Sequence, residues 1–327
     1  MAEPILSVED LRTYFYTEAG VVKAVDGVSF TVNRGEPLGL VGESGSGKTV
    51  TALSILRVVP RPGKIVSGKI AFAGEDLLTK KEREMRTIRG NKIGYVSQDP
   101  NSSLDPLFSV GNQLAEVIRA HEEMTKEDAE ARVIKLLKLV KIPEPETRLG
   151  AFPHELSGGM RQRIAIARAL ASTPDVLIAD EPTTNLDVTI QAQVLELLKT
   201  LQKDLGMTLI LVTHDMGIMA EMVTRTVVFY AGRIAEVSDI KDTFRSPKHP
   251  YTAALLNSVP RVDRKRDLTS IPGNIPNLIT PPTGCRYHPR CSYVVDKCAT
   301  VVPELEPCGD NRMVSCHRWK EIQLGGY

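Results

Sequence analysis

Hydrophobic positions along this chain switch repeatedly between a two-residue and a 3.6-residue period, which predicts alternating strands and helices. Ile5, Leu6, Val8 and Leu11 open one extended segment, and Val25, Val28, Phe30 and Val32, interleaved with polar residues, form another. Asn33-Arg34-Gly35-Glu36 reads as a turn, and Pro37-Leu38-Gly39-Leu40-Val41 after it as a short apolar strand. Residues 69–98 give more strand, then a charged helix over Lys80–Arg89 with a solvated face, then a strand Ile93–Ser97 ending at Gln98. Val110–His121 and Glu127–Val140 are helical patterns with charges on one side, closed by Pro143 and Pro145. They predict an inserted helical subdomain. The apolar runs 175–181 and Thr208–Val212 read as buried parallel strands. Residues 259–284, rich in proline and charge, have the composition of a linker.

Composition narrows the class. The chain has 327 residues, room for two domains or for one large domain with an extension. Apolar residues at 42% and charged residues at 25% are those of a soluble globular protein. The net charge of +1 supplies no basic field for nucleic acid. No run of eighteen apolar residues predicts a membrane span, and Met1-Ala2-Glu3-Pro4 does not read as a signal peptide. A cytoplasmic protein is expected, one that reaches a membrane only through a partner.

The candidate chemistry centres on Gly42-Glu43-Ser44-Gly45-Ser46-Gly47-Lys48-Thr49, which fits G-x-x-x-x-G-K-[ST] without a mismatch. A strand precedes it and a helical pattern beginning at Val50 follows it, the context the motif needs. Glycines let consecutive N–H groups converge on phosphate oxygens, and the helix N-terminus adds its dipole. Lys48 is placed to reach the β- and γ-phosphates and Thr49 to hold Mg²⁺. Ser157-Gly158-Gly159, directly before a helix, is a second candidate phosphate site without a lysine. Asp180 and Glu181 end a buried strand, where open α/β sheets place their ligands. Asp180 is suited to hold Mg²⁺ through water and Glu181 to polarise the attacking water as general base. Gln98, just past its strand, can bond a metal or a water. His214, at the end of the strand beginning at Thr208, is a candidate γ-phosphate sensor. Phe15 and Tyr16 stand in an otherwise polar stretch where an aromatic can stack on a base or fill the core.

Together, GESGSGKT (42–49), Gln98, LSGGM (156–160), VLIADE (176–181), Asn185-Leu186-Asp187 and His214 resemble, in order and spacing, the nucleotide-binding subunit of an ABC transporter. The resemblance covers residues 5 to about 240. Met160 stands where glutamine is commoner and Asn185 where alanine is usual; neither departure removes a catalytic group. The resemblance implies a fold class: α/β, a P-loop NTPase core with an antiparallel β subdomain, an inserted helical subdomain and a small irregular C-terminal cysteine module. It implies Phe15, or alternatively Tyr16, as the adenine-stacking aromatic, with Gly42 to Val50 around the phosphates and Thr49, Gln98 and Asp180 around Mg²⁺. Glu181 would be the catalytic base and His214 the switch histidine. Ser157, Gly158 and Gly159 would cap the nucleotide of a second subunit, and Asp187 would lie in the dimer-interface loop.

His249-Pro250-Tyr251-Thr252-Ala253-Ala254-Leu255-Leu256 and Gly284-Cys285-Arg286-Tyr287-His288-Pro289-Arg290-Cys291 resemble the C-terminal extension of the dipeptide/oligopeptide branch. That branch imports peptides, and related members carry nickel or oligosaccharides. Domains at 1–258, with a helical subdomain over about 100–171, and at 259–327 follow from this resemblance. All five cysteines fall within residues 285–316. No C-x-x-C pair occurs, which counts against a zinc ribbon, and a reducing compartment disfavours disulfides. Four thiolates in so short a stretch suit a [4Fe–4S] cluster, with zinc or no ligand as alternatives. The spacing of Cys285, Cys291, Cys298 and Cys316 resembles the branch's cluster-binding extension and leaves Cys308 spare.

The resulting expectation is an ATPase on the cytoplasmic face of the membrane. Its partners would be a second, paralogous ATPase subunit, two integral membrane permease subunits and, indirectly, an extracytoplasmic solute-binding protein. The competing class is a soluble ATPase of the same superfamily that clamps nucleic acid or ribosomes. Such proteins usually carry two cassettes or long coiled-coil arms, and this sequence has one cassette and no heptad arms.

Overall fold

The structure, a computed structural model, describes residues 4–99, 103–259 and 271–326. Pro100, in the stretch that follows Gln98, and residues 260–270 of the expected linker lie outside the described residues. The chain forms two compact units, one from Met1–Thr79 with Val212–Tyr327 and one from Lys80–Leu211.

In the first unit, β1 (Leu6–Thr17) and β2 (Gly20–Val32) form an antiparallel hairpin that β4 (Gly63–Phe72) and β5 (Glu75–Asp76) extend, in the order β2-β1-β4-β5. β4 begins at Gly63, six residues before the predicted strand start. Most of its residues before Ile70 are exposed, so no apolar alternation marks them; backbone pairing of residues 63–65 with Thr13–Phe15 holds them in the sheet. The other strands of this unit run β11 (Glu306–Gly309), β12 (Arg312–Val314), β10 (Arg233–Asp239), β9 (Arg225–Tyr230), β3 (Pro37–Val41). β3 and β9 are parallel, with Val41 opposite Val228. Leu38, Leu40, Val227 and Phe229 are fully buried, and the helix α1 (Lys48–Ile55) follows the loop that leaves β3.

The second unit holds α2 (Glu82–Ile88), β6 (Ile93–Val96), α3 (Val110–His121), α4 (Lys126–Leu139), α5 (Pro145–Arg148), α6 (Gly158–Ala169), β7 (Val176–Asp180) and α7 (Val188–Leu205). β8 (Thr208–Thr213) neighbours β7, and β6 pairs with β7 in parallel, all of β7 being buried. The two predicted long helices are present. Ser109 caps α3, and Thr125 caps α4 by accepting the Asp128 amide at 3.1 Å. Pro145 does not close the helical segment as its sequence suggests. It sits at the first turn of α5, where a missing N–H costs nothing.

Among the described residues the other α-helices belong to the first unit: α8 (Met216–Met222), α9 (Ile240–Arg245), α10 (Pro250–Asn257) and the short α11 (Asp296–Thr300). The tail is less irregular than predicted, because β12 joins the edge of β10 with Val314 opposite Glu236. Glu236, fully buried, accepts the amides of Lys248 and His249 and a hydrogen bond from Arg312 Nη2 at 2.9 Å. That one carboxylate fixes β12 and the entry to α10 on the same strand. Among the described residues no helix is long and apolar enough to cross a membrane.

Candidate functional site

The glycine loop after β3 lies in the first unit. Its glycines Gly42, Gly45 and Gly47 all take positive φ. A Cβ on Gly42 would meet the Phe229 carbonyl oxygen at 2.2 Å and one on Gly47 the Ala24 carbonyl oxygen at 2.5 Å, so neither position admits a side chain. Lys48 Nζ donates to the carbonyls of Gly42 at 2.7 Å and Glu43 at 3.0 Å, which closes the loop into a ring. Ser46 Oγ is buried, with no hydrogen-bond partner among the described residues. Among the described residues no side chain caps α1, whose N-terminus opens onto the loop with Thr49 in its first turn. Positive-φ backbone, an uncapped helix start, a lysine and an orphaned hydroxyl are the donor set of a phosphate site, so the residues fit ATP and, through the Thr49 hydroxyl, its Mg²⁺.

Of the two candidate aromatics, Tyr16 is 47% exposed, with the Lys64 ammonium 5.6 Å above its ring. Phe15 is half-buried, its Cε1 2.8 Å from where a Cβ on Gly63 would sit. His214 is exposed just beyond β8, and Asp215 behind it caps α8 by accepting the Gly217 and Ile218 amides.

In the second unit the parallel register of β6 and β7 brings their C-terminal ends side by side. Gln98 Nε2 donates to Glu181 Oε2 at 3.0 Å, and Thr184 Oγ1 donates to the same oxygen at 2.9 Å. Glu181 takes φ +45°, an uncommon backbone state for a residue with a side chain and one that collects at working sites. Asp180, 1% exposed, accepts from the Tyr95 hydroxyl at 3.0 Å. Burial first, and the neighbouring Asp180 second, raise the Tyr95 pKa, so this phenol keeps its proton and stays a donor. Tyr95 and Thr184 were not legible as site residues, although Tyr95 lies within a strand already read as ending at the site. Ser157 caps α6, accepting the Met160 amide at 3.3 Å, and a hydroxyl that accepts in this way keeps a hydrogen of its own to donate. Asp187 caps α7 through Ile190 in the same way, beside Val188, which is 84% exposed.

The tail attaches to the first unit through arginines that flank its cysteines. Arg286 binds the Ala231 carbonyl and Asp26, a carboxylate also held by Tyr14 at 2.7 Å and Arg233 at 2.9 Å. Burial opposes the charge on Asp26, yet these partners together lower its pKa. Cys285, Cys291, Cys298 and Cys316 line one small pocket with Tyr287, His288 and Arg318; Cys308 is not among its walls. All five thiols are unbridged. Among the described residues no group of three or more His, Cys, Asp or Glu side chains is arranged to hold a metal ion.

Comparison with known proteins agrees with the geometry. The family described as "ABC transporter" matches residues 25–184, and "Oligopeptide/dipeptide transporter, C-terminal region" matches residues 235–298. The dipeptide transport ATP-binding protein DppD of Bacillus subtilis is 47% identical over 323 residues, covering 98% of this chain and 96% of that protein. The oligopeptide transport ATP-binding protein OppD of the same organism is 49% identical over 294 residues, covering 89% of this chain and 82% of that protein. A dimeric post-hydrolysis structure of the ATP-binding cassette MJ0796, bound to ADP and Pi, superposes with a TM-score of 0.65 at 27% identity, covering 72% of this chain and 98% of that one. The chain belongs to the ABC transporter family, as an ATP-binding and ATP-hydrolysing subunit of the oligopeptide/dipeptide type.

Proposed function

We propose that this subunit drives import of di- or oligopeptides, with Glu181 as the general base of ATP hydrolysis. The observation that carries the catalytic assignment is the carboxylate of Glu181, oriented at a strand end by Gln98 and Thr184. In this reading Gly42 to Val50 bind the phosphates, Lys48 neutralises the β- and γ-oxygens, and Phe15 or Tyr16 stacks on the base. Thr49 would hold Mg²⁺, which would offset phosphate charge, with Asp180 and Gln98 as its further partners, and His214 would sense the γ-phosphate. Ser157 to Gly159 close over the nucleotide of a second ATPase subunit, a paralogue, whose interface includes Asp187. Catalysis is then mostly positioning and charge stabilisation. Closure and reopening of that dimer, transmitted beside Gln98, would move two permease subunits on the cytoplasmic face of the membrane, fed by a solute-binding protein.

The peptide assignment rests on the likeness to dipeptide and oligopeptide transport proteins along most of the chain and on the match of residues 235–298. It is tested by reconstituting the subunit with its permeases and measuring ATPase stimulation by binding protein loaded with peptide, nickel or oligosaccharide. Stimulation by peptide is expected; stimulation by nickel or sugar alone overturns it.

For the tail, we propose a [4Fe–4S] cluster on Cys285, Cys291, Cys298 and Cys316, which would serve as a structural pin. The support is that four thiols, and not Cys308, line a common cavity, while thiolate sets of this kind accept iron clusters or zinc. The test is anaerobic purification with iron, sulfide and zinc analysis. About four irons and four sulfides per chain are expected; zinc, or no metal in protected protein, overturns the cluster and leaves the ATP site untouched.

A further inference from the structure

We infer that Arg290, carried by the tail, is a positioning residue for the phosphate-binding loop and acts on it through Glu43. Glu43 is the residue after Gly42, at the start of the loop. Arg290 Nη1 donates to Glu43 Oε2 at 2.8 Å and Nη2 to Oε1 at 3.2 Å, a two-pronged fork. The Arg290 side chain is only 5% exposed, and that of Glu43 25%.

The arginine is held independently of its acid. Its Nε donates to the Pro272 carbonyl at 2.7 Å, Nη2 to the Ile271 carbonyl at 3.3 Å, and Nη1 to the Tyr230 hydroxyl at 3.3 Å. Arg290 is therefore the fixed member of the pair and Glu43 the member it fixes. The rest of Glu43 is held too. Its amide donates to the Tyr251 hydroxyl at 2.9 Å, and its carbonyl accepts from Lys48 at 3.0 Å. Tyr251 is backed by Tyr230 and Tyr287, with ring centroids 4.5 and 5.4 Å away.

A phosphate nest works only while its N–H groups converge, and fixing Glu43 sets the direction from which the chain enters that turn. Donors arranged beforehand need no rearrangement when the anion arrives. Because the ground and transition states of hydrolysis share the loop, loosening it should weaken nucleotide binding more than it slows turnover.

The test is calorimetry of MgATP binding to the full chain, together with KM and kcat in the reconstituted complex. Arg290→Ala should raise Kd and KM about 10-fold with kcat within about twofold, the size of one charge-assisted contact. Arg290→Lys keeps the charge without the fork and should fall between wild type and alanine. Glu43→Gln keeps the arginine on its carbonyls and should also raise Kd, by about 3- to 10-fold. The double variant should be no worse than the worse single one, because the two act as one unit. Kd unchanged in Glu43→Gln, or tighter binding there through an unmasked arginine charge, overturns the inference. So do single effects that multiply in the double variant. If Arg290→Ala does not fold, Glu43→Gln and Arg290→Lys decide.

Discussion

At Lys48 the ammonium bridges two carbonyls of its own loop, so arriving phosphate takes over a donor already directed inward. Removing it deletes both the ring closure and the charge. Lys48→Ala should weaken MgATP binding by about 10- to 100-fold, as lost charge-assisted hydrogen bonds do; calorimetry giving wild-type affinity would rule out its phosphate role. Glu181 makes the opposite prediction. Glutamine in its place keeps an acceptor for Gln98 and Thr184 but cannot take a proton. Glu181→Gln should cut the hydrolysis rate by about 10²-fold or more, the worth of a general base, while ATP still binds. A phosphate-release assay at near wild-type rate would remove Glu181 from catalysis. These residues were legible because each sits in a short contiguous motif. Tyr95 and Thr184 were not, because a tyrosine in a strand and a threonine in a turn have no signature until the partner carboxylates are placed beside them.

At the level of elements, α10 starts in an unusual way. His249 Nδ1 accepts the Tyr251 amide proton at 3.0 Å, so its ring is neutral with the proton on Nε2. Burial pushes its pKa down to about 4 from the ordinary 6.5. The folded histidine resists a proton that the unfolded chain accepts, so its contribution is complete above pH 6.5 and is lost as pH falls toward 4. Within that window the loss amounts to about 1.4 kcal/mol per pH unit. His249→Asn, which can still cap but does not titrate, should flatten stability against pH there. Denaturation curves with an unchanged slope would refute this. The same comparison explains which elements could be read in advance. The apolar runs of β3, β7 and β8 and the capped helices α3 and α4 announce themselves. The first half of β4 does not, since pairing with β1, not burial, makes it a strand.

Across the whole first unit, distant segments are joined by buried charge. Arg312 in β12 meets Glu236 in β10, with side chains 7% and 0% exposed. Arg312→Ala strands a carboxylate away from water and should cost about 3–5 kcal/mol, read by urea denaturation; a loss below about 1 kcal/mol, that of a surface pair, would refute the account. Such links were invisible in the sequence for a simple reason: Asp26 and Arg286 are 260 residues apart and Glu43 and Arg290 are 247 apart. Local pattern carries no information about which arginine of many will reach which acid. The family resemblance located the tail and its cysteines, but not what the tail holds.

The separation of Glu43 from Arg290 has a consequence for biosynthesis. On a ribosome adding about 5–20 residues per second, the loop emerges roughly 10–50 s before the residue that steadies it. During that interval the nascent chain carries the complete glycine–lysine motif without the Arg290 fork onto Glu43. By the inference above, a newly made subunit would reach its full nucleotide affinity only once translation has passed the tail.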